Sequence, residues 1–173
     1  GILSGGGTIC EGQAFELPLN VNLTGQAPYY ITYTNGEQLF FDTAMFSNYL
    51  INASETGNYT IISLTDNNCS GSATGNASIT YNKLPKSLIT GGEVMCSGDS
   101  TLIRIDVETD AYPYNVLLSN GNYSINFSSL TDNYLTTFVK EPASYFVSKV
   151  IDANGCQSLD NDGIAIVSFK QYK

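Results

Sequence analysis

Histidine and tryptophan are both absent from this chain of 173 residues. Without histidine, the Ser-His-Asp and Cys-His arrangements of nucleophilic catalysis cannot form. Paired carboxylates can cleave glycosides without histidine. However, Asp106, Glu108 and Asp110 alternate along a predicted strand, on a face where charges are ordinarily hydrated. We therefore expect a protein that is not an enzyme.

Charged residues are also scarce, at 13% of the chain, and the 16 acidic ones outnumber the 7 basic ones, for a net charge of −9. Nucleic acid and anionic membrane surfaces repel such a chain, so we expect neither as a partner. No apolar run approaches the roughly 18 residues of a membrane helix, so we expect no membrane insertion. Residues 1–7 have neither the basic start nor the apolar stretch of a signal peptide. We expect the chain to be a segment of a longer protein.

One pattern occurs twice, at 57–69 and 143–156: a small-residue corner, a tyrosine, an alternating apolar run, and an Asp/Asn turn that ends in cysteine. Tyr59 and Tyr145 are 86 positions apart, and the two cysteines that end the pattern are 87 apart. A fixed internal period is the mark of a repeat architecture. It predicts two domains, repeat 1 at 1–84 and repeat 2 at 85–173, joined near 83–88.

The rest of each repeat also reads as strands and turns. Apolar residues alternate with polar ones at 15–23 and again at 103–107, which is typical of half-buried strands. Pro28 and Pro113 each begin an apolar run that ends at Asn-Gly, a pair that favours a tight hairpin turn. The segments 37–56 and 122–142 are expected to supply two short strands each. The sequence therefore predicts an all-β fold.

Four cysteines, Cys10, Cys69, Cys96 and Cys156, allow three disulfide pairings. Pairing within each repeat, Cys10 with Cys69 and Cys96 with Cys156, treats the two copies alike. Closing loops of this length would stabilise each domain by about 4 kcal/mol in the chain-entropy model. Reduced, buried thiols are the alternative. Disulfides are typical of an extracytoplasmic setting.

Several of these motifs together resemble the Ig-like repeats of giant cell-surface adhesins of Bacteroidota, a class that includes the mobile gliding-motility adhesin exported by type IX secretion. The motifs are Cys10-Glu11-Gly12, Pro28-Tyr29, Gly57-Asn58-Tyr59 and 65–69, with Cys96-Ser97-Gly98, Pro113-Tyr114, Ser144-Tyr145 and 151–156 in the second copy. The resemblance implies two tandem Ig-like antiparallel β-sandwich domains with one disulfide each. Tyr59 and Tyr145 would be structural tyrosine corners, whose hydroxyls bond backbone and whose rings fill the core.

The resemblance also implies a function: a non-catalytic structural or adhesive repeat unit, at the cell surface, that acts as a stalk or surface-contact segment in gliding or attachment. Its partners would be neighbouring repeats of the same chain and, in a contact role, a surface polysaccharide or substratum. The alternative is a carbohydrate-binding module of an exported enzyme, with sugar stacking on Tyr29, Tyr30, Tyr33, Phe40 and Phe41 rather than packing of these rings in the core. A third reading is an inert fragment whose binding domain lies elsewhere.

Two kinds of modification or ligand site are further candidates. Asp152, Asn154, Asp160 and Asp162 offer hard oxygen ligands on two neighbouring turns of repeat 2, which suits calcium; ordinary turn chemistry is the alternative, and no other cofactor is expected. Within the Bacteroidota resemblance, Asp42-Thr43-Ala44 and Asp99-Ser100-Thr101 are similar to that phylum's O-glycosylation motif. Thr43 and Ser100 are the predicted acceptors.

Overall fold

A computed structural model describes residues 1–171 of the chain, and every regular element in that range is a β-strand. The all-β prediction is confirmed. The chain forms two compact units, one from Gly1 to Asn82 and one that begins at Lys83. Unit 1 contains β1 Ile2–Cys10, β2 Leu17–Asn22, β3 Tyr29–Thr34, β4 Leu39–Ala44, β5 Asn48–Ala53, β6 Gly57–Thr65, β7 Ser70–Gly71 and β8 Ala77–Asn82. Unit 2 contains β9 Lys86–Gly91, β10 Val94–Met95, β11 Thr101–Glu108, β12 Tyr114–Ser119, β13 Ser124–Leu130, β14 Tyr134–Val139, β15 Ala143–Ile151, β16 Asp160–Asp162 and β17 Ala165–Phe169.

In unit 1 a single strand, β1, belongs to both layers of a sandwich. Its first half pairs antiparallel with β2, from Ile2 to Gly5, and its second half pairs parallel with β8, from Gly6 to Cys10. The strands follow the order β4-β3-β6-β8-β1-β2-β5. Gly6, at the crossing point, has φ +106°, and a Cβ there would come within 2.3 Å of the Ser78 carbonyl oxygen. Only glycine permits both this backbone conformation and this approach.

Unit 2 follows the same path with one break. Here β9 pairs antiparallel with β11, and β10 pairs parallel with β17, so the crossing strand is divided at Gly91 and Gly92. The two layers are β10-β17-β15-β12-β13 and β14-β11-β9-β16. Each β1 half thus has a counterpart in unit 2.

The core of each unit lies between its layers and follows the two-residue alternation of the sequence. Leu19 and Val21 in β2 are buried, and so are Ile103, Ile105 and Val107 in β11, while the residues between them face outward. Burial of these side chains stabilises each sandwich by roughly 1.5–3 kcal/mol per residue. The largest buried side chains of the chain are the tyrosines Tyr59, Tyr114 and Tyr145.

Three local expectations need correction. β9 begins at Lys86, so the predicted joint at 83–88 loses its last three residues to a strand. The predicted acidic turn at 160–163 is mostly strand β16, which pairs with β9 and is held by a 2.7 Å hydrogen bond from Ser87 Oγ to Asn161 Oδ1. The Asn-Gly hairpins close through four-residue loops, because Asn35 Oδ1 and Asn120 Oδ1 each accept two backbone N–H groups from the loop.

Candidate functional site

The two corner tyrosines have matching geometry. Tyr59 Oη donates to the Glu55 carbonyl at 2.7 Å, and Tyr145 Oη donates to the Glu141 carbonyl at 3.0 Å, four residues upstream in both cases. Both side chains are about 1% exposed. Burial raises the pKa of Tyr145 to about 12 and raises the pKa of Tyr59 as well. Neutral phenols that donate to backbone and fill a core are structural groups rather than acid–base catalysts.

The Asp/Asn turn of repeat 1 is organised by one carboxylate. Asp66 Oδ1 accepts the N–H groups of Asn68 at 2.8 Å and Cys69 at 2.7 Å, and its Oδ2 accepts the N–H of Gln26 at 2.9 Å. Hydrogen bonds from the Gln26, Asn68 and Cys69 amides hold the pKa of Asp66 below its usual value. The side chain of Cys69 is exposed at the end of this turn.

Repeat 2 builds the same turn with one more residue and buries it. Asp152 Oδ1 accepts the N–H groups of Asn154 and Cys156, each at 2.9 Å. Asp152 is 5% exposed and Cys156 is fully buried. The Ser158 hydroxyl, also buried, accepts the Val150 N–H at 2.8 Å. The turn is therefore an internal scaffold for the cysteine.

The cysteines do not pair as predicted. Cys69 is a free, exposed thiol, whereas Cys10 and Cys156 are disulfide-bonded. Cys10 ends β1 and is paired with Asn82, which lies past the first residue of β6. Cys69 follows the other end of β6. Nine strand residues at about 3.3 Å each separate the two cysteines by about 30 Å, far beyond the roughly 7 Å limit between bridged Cα atoms. The predicted Cys10–Cys69 disulfide is wrong.

The same separation exists in repeat 2. Cys96 follows Met95, which pairs with Phe169 next to the start of β15, and Cys156 follows the far end of β15. β15 also has nine residues, so the two cysteines lie about 30 Å apart. The predicted Cys96–Cys156 disulfide is wrong for the same reason.

The carboxylates among the predicted calcium ligands have different partners. The Asp152 carboxylate is already used by its own turn, and Asp160 lies 4.0 Å from Lys86 Nζ as an exposed ion pair. Asp162 borders a groove that Lys86, Asp106 and Glu108 also line. Within residues 1–171 no group of three or more His, Cys, Asp or Glu side chains is arranged to hold a metal ion.

The groove that Asp162 borders is the place where paired carboxylates could have acted. It has a volume of about 310 Å³ and is lined by Lys86, Ser87, Leu88, Asp106, Val107, Glu108, Asn133 and Asp162. Arg104 Nη2 lies 2.7 Å from Asp106 Oδ1, and this pairing holds the pKa of Asp106 below its usual value. A glycosidase acid needs a raised pKa. Asp106 has the opposite environment.

The aromatic residues of repeat 1 divide between core and surface. Tyr29 and Tyr33 are buried, and Phe40 stacks on Tyr33 with ring centroids 5.1 Å apart. Tyr30 and Phe41 face outward and are 52% and 74% exposed. They lie on adjacent strands, β3 and β4, where Tyr30 pairs with Thr43 and Phe41 with Thr32. Packing of these rings in the core, the reading opposed to a sugar platform, holds for Tyr29 and Tyr33, and the five-ring platform of the alternative is reduced to two exposed rings.

Repeat 2 presents a different outward face that the sequence analysis missed. The guanidinium carbon of Arg104 lies 4.1 Å from the centroid of the Tyr134 ring and Arg104 also bonds to Asp106. Tyr134 is paired with Asp106 across β11 and β14. The sequence did contain a signal for this face, because Arg104 and Asp106 are two positions apart on one strand and such residues point to the same side of a sheet.

Both predicted glycosylation acceptors are at the surface. Thr43 is exposed on the edge strand β4, and Ser100 is exposed just before β11. Residues 1–171 contain no helix long and apolar enough to cross a bilayer.

Comparisons with known proteins place the fold. The family model of the Ig-like domain of nucleoporin POM152 matches residues 7–79, and no curated protein matches the chain. Among solved structures, a Ca²⁺-stabilised adhesin that helps an Antarctic bacterium bind ice is 10% identical, with TM-score 0.56 and coverage of 94% of this chain and 46% of the other. A 1.5-MDa bacterial ice-binding adhesin is 11% identical, with TM-score 0.54, and the match covers 91% of this chain and 58% of that one. A marsupial T cell receptor is 12% identical, with TM-score 0.57, and the match covers 97% of this chain and 72% of that one.

This chain spans about half the length of the two adhesin chains that it matches. At such low identity the likeness concerns the fold. The chain therefore has an Ig-like sandwich fold, which bacterial adhesins and immune receptors also use.

Proposed function

We propose that this chain contributes two tandem Ig-like repeats to a long extracellular surface adhesin, where they act as a stalk or a surface-contact segment. The shared motifs extend the proposal to the giant adhesins of Bacteroidota and to gliding or attachment. Neighbouring repeats would be the main partners. Disulfide-bonded Cys10 and Cys156 favour an extracytoplasmic location, and a net charge of −9 favours solubility over self-association.

One observation carries the proposal: within each repeat the last strand pairs in parallel with the second part of the crossing strand, with which the repeat begins. In repeat 1, Gly6 to Cys10 in β1 pair in parallel with Ser78 to Asn82 in β8. In repeat 2, β10 pairs in parallel with β17. The chain therefore enters each repeat at one end and leaves it at the opposite end. This arrangement suits units that are joined in series.

A pulling experiment on the 173-residue chain, held at its two ends under reducing conditions, tests the proposal. We expect each repeat to resist extension and to unfold as a unit, because its terminal strands are loaded along five parallel residue pairs in repeat 1. Gly6→Ala should lower the unfolding force of repeat 1, because its Cβ would meet the Ser78 carbonyl. Gly12→Ala is the matched control, since a Cβ there meets nothing within 4 Å. Extension of the wild-type chain without a force peak would contradict a stalk role.

The exposed pair Tyr30 and Phe41 favours a second candidate, sugar binding on the outer face of β3 and β4. Aromatic rings stack on apolar faces of sugars, and two rings on adjacent strands provide a short platform. Affinity electrophoresis in gels that contain soluble polysaccharides tests this alternative. Retardation that Phe41→Ala abolishes and Phe138→Ala preserves would support it, since Phe138 is a similarly exposed ring of repeat 2, at 69%. Unretarded migration in every polysaccharide would exclude it for those sugars.

A further inference from the structure

Asparagine is followed by glycine at three places in this chain, at Asn35-Gly36, Asn120-Gly121 and Asn154-Gly155. Such a pair closes readily to a cyclic imide, a succinimide, because glycine has no side chain to hinder the attack of its own nitrogen on the asparagine side chain. In an unfolded chain the three pairs are chemically alike. Differences between them in the folded chain therefore come from how the fold holds each asparagine.

In the first two pairs, the asparagine side chain holds a hairpin loop together. Asn35 Oδ1 accepts the N–H groups of the residues two and three positions on, at 3.0 and 2.8 Å, and Asn120 Oδ1 does the same at 3.0 Å for both. Asn35 is also buried, with 5% of its surface exposed. Ring closure turns the side-chain carbonyl toward the glycine nitrogen, so it would break both hydrogen bonds in either loop.

Asn154 is held differently, because a neighbouring carboxylate organises its turn. Asp152 Oδ1 accepts the N–H groups of Asn154 and Cys156, each at 2.9 Å. Among the hydrogen bonds of residues 1–171, Asn154 takes part only through that backbone N–H, and the residue is exposed to solvent. Its side chain therefore rotates without the loss of a hydrogen bond.

The three glycines do not account for a difference between the pairs. Their nitrogens each donate one hydrogen bond of 3.0 to 3.2 Å, to Thr34 Oγ1, Ser119 Oγ and the Asp152 carbonyl, respectively. Each nitrogen has to give up that bond before it attacks. All three glycines also have positive φ, between 78° and 101°. The asparagine side chains are what distinguish the pairs.

We propose that Asn154 is a site of spontaneous covalent modification, at which the folded chain converts asparagine to aspartate and isoaspartate. The Gly155 nitrogen loses its proton to hydroxide and attacks Cγ of Asn154, so that one C–N bond forms. The side-chain nitrogen takes a proton from water and leaves as ammonia. Water then opens the imide at either carbonyl, which gives aspartate or isoaspartate.

Isoaspartate would alter the turn that holds the buried cysteine of repeat 2. Its linkage adds one methylene to the main chain between positions 154 and 155, inside a loop that is closed by a 3.1 Å hydrogen bond from the Asp152 N–H to the Cys156 carbonyl. In the turn of repeat 1, Asn67 and Asn68 are followed by asparagine and cysteine, whose side chains hinder the attack. We therefore expect the modification in repeat 2 alone, whatever the mechanical role of the chain.

Ageing of the folded 173-residue chain in mildly alkaline buffer, followed by reduction and peptide mapping, tests the site. Cleavage after glutamate, lysine and arginine places one Asn-Gly pair in each of the peptides 17–37, 109–140 and 150–170. Fragmentation of the peptides locates the mass gain of deamidation, and an unaged sample corrects for conversion during digestion. Because two hydrogen bonds protect each of the other asparagines, we expect Asn154 to convert at least about tenfold faster than Asn35 and Asn120.

The same chain aged in denaturant is the reference, since the three pairs should convert there at similar rates. Asn154→Gln should abolish the conversion in peptide 150–170 of the folded chain, because glutamine closes a larger ring far more slowly, and should leave the other two peptides unchanged. In aged wild-type chain we expect faster amide hydrogen exchange at Asp152 and Cys156, with no change at the turn of Asp66.

Three results would overturn the proposal. In the folded chain, Asn35 or Asn120 could convert as fast as Asn154. Asn154 could remain unmodified for the time in which the denatured chain converts completely. The conversion in peptide 150–170 could persist in Asn154→Gln, which would place the reactive residue elsewhere.

Discussion

Repeat 1 and repeat 2 follow the same strand connections but differ in how deeply they bury the Asp/Asn turn that ends in cysteine. In repeat 1 the side chain of Asp66 is partly exposed, and the turn ends at Cys69, whose thiol is exposed and free. In repeat 2 the equivalent Asp152 is buried, and Cys156 is fully buried and disulfide-bonded. In both turns the aspartate Oδ1 accepts the N–H of the residue two positions on and the N–H of the cysteine. The carboxylate-to-amide bonding of the turn is therefore common to both repeats, while its burial differs between them.

The crossing strand is the second difference between the repeats. Repeat 1 carries it as one strand of nine residues, and repeat 2 divides it at Gly91 and Gly92. In both, a glycine with positive φ lies against a carbonyl of the last strand: Gly6 against Ser78 and Gly92 against Ile166. This close approach, rather than strand continuity, is what the two copies require.

The largest effect is expected from blocking that approach. Gly6→Ala should destabilise repeat 1 by about 3 kcal/mol or more, because it adds the strain of a positive φ, about 1–2 kcal/mol, to a backbone clash. Gly92→Ala should do the same in repeat 2, where the Cβ would lie 2.6 Å from the Ile166 carbonyl. Amide hydrogen exchange in β8 and β17 reports the two losses separately. Equal exchange in Gly6→Ala and wild type would show that the approach is not essential.

A smaller effect is expected at the tyrosine corners. Tyr59→Phe and Tyr145→Phe each remove one hydrogen bond to a backbone carbonyl and should cost about 1 kcal/mol. Tyr145 Oη also lies 3.4 Å from Tyr123 Oη, so Tyr145→Phe removes this contact from the Tyr123 hydroxyl as well. We therefore expect Tyr145→Phe to be the more costly variant in urea unfolding. The reverse order would mean that the Tyr123 contact contributes nothing.

The turn of repeat 1 should make its stability depend on pH. Because the pKa of Asp66 is lower in the folded chain than in the unfolded chain, its ionised form stabilises the fold above an unfolded pKa of about 4. That contribution is lost as pH falls through the folded-state pKa. Asp66→Asn should therefore be less stable than wild type at neutral pH, with the difference shrinking toward pH 3 in urea titrations. Glu108→Gln changes the net charge equally and is the control; a constant Asp66→Asn deficit across this range would contradict the expectation.

The smallest effect is expected on the outward face that only repeat 2 possesses. Arg104→Lys removes the bidentate bond to Asp106 and weakens the stacking on Tyr134. Because both partners of the pair are nearly half exposed, at 47% and 43%, the loss of stability should be the smallest of those named here and should shrink as salt is added. Thermal melting at low and high salt measures it, and a larger loss would indicate that this face has a structural role.

Much of this architecture could be predicted from local patterns. Alternation located β2 and β11, and the Pro and Asn-Gly signals bounded β3 and β12, because each strand faces the core on one side only. β1 was not predicted, because Gly5, Gly6 and Gly7 have no side chains to alternate, and their role depends on a neighbouring strand. Asp160 and Asp162 suggested a metal turn, yet they are the outward residues of β16, whose inward Asn161 is held by Ser87.

The cysteine pairing was beyond local patterns for a different reason. Duplication favours one pairing rule in both copies, but it does not show how far apart the two cysteines of one repeat lie. The lengths of β6 and β15 decide that distance, since each strand places the two cysteines of its repeat at opposite ends. Strand length and register are properties of the folded chain.

The length of the crossing strand also determines how far a repeat can lengthen when it unfolds. β1 spans about 30 Å from one end of repeat 1 to the other, whereas the 82 residues of that unit would extend to about 280 Å if pulled straight. Complete unfolding would therefore lengthen repeat 1 about ninefold. A tether built from such units could lose one fold under a sudden load, lengthen and spare its neighbours, and then shorten again when the load falls.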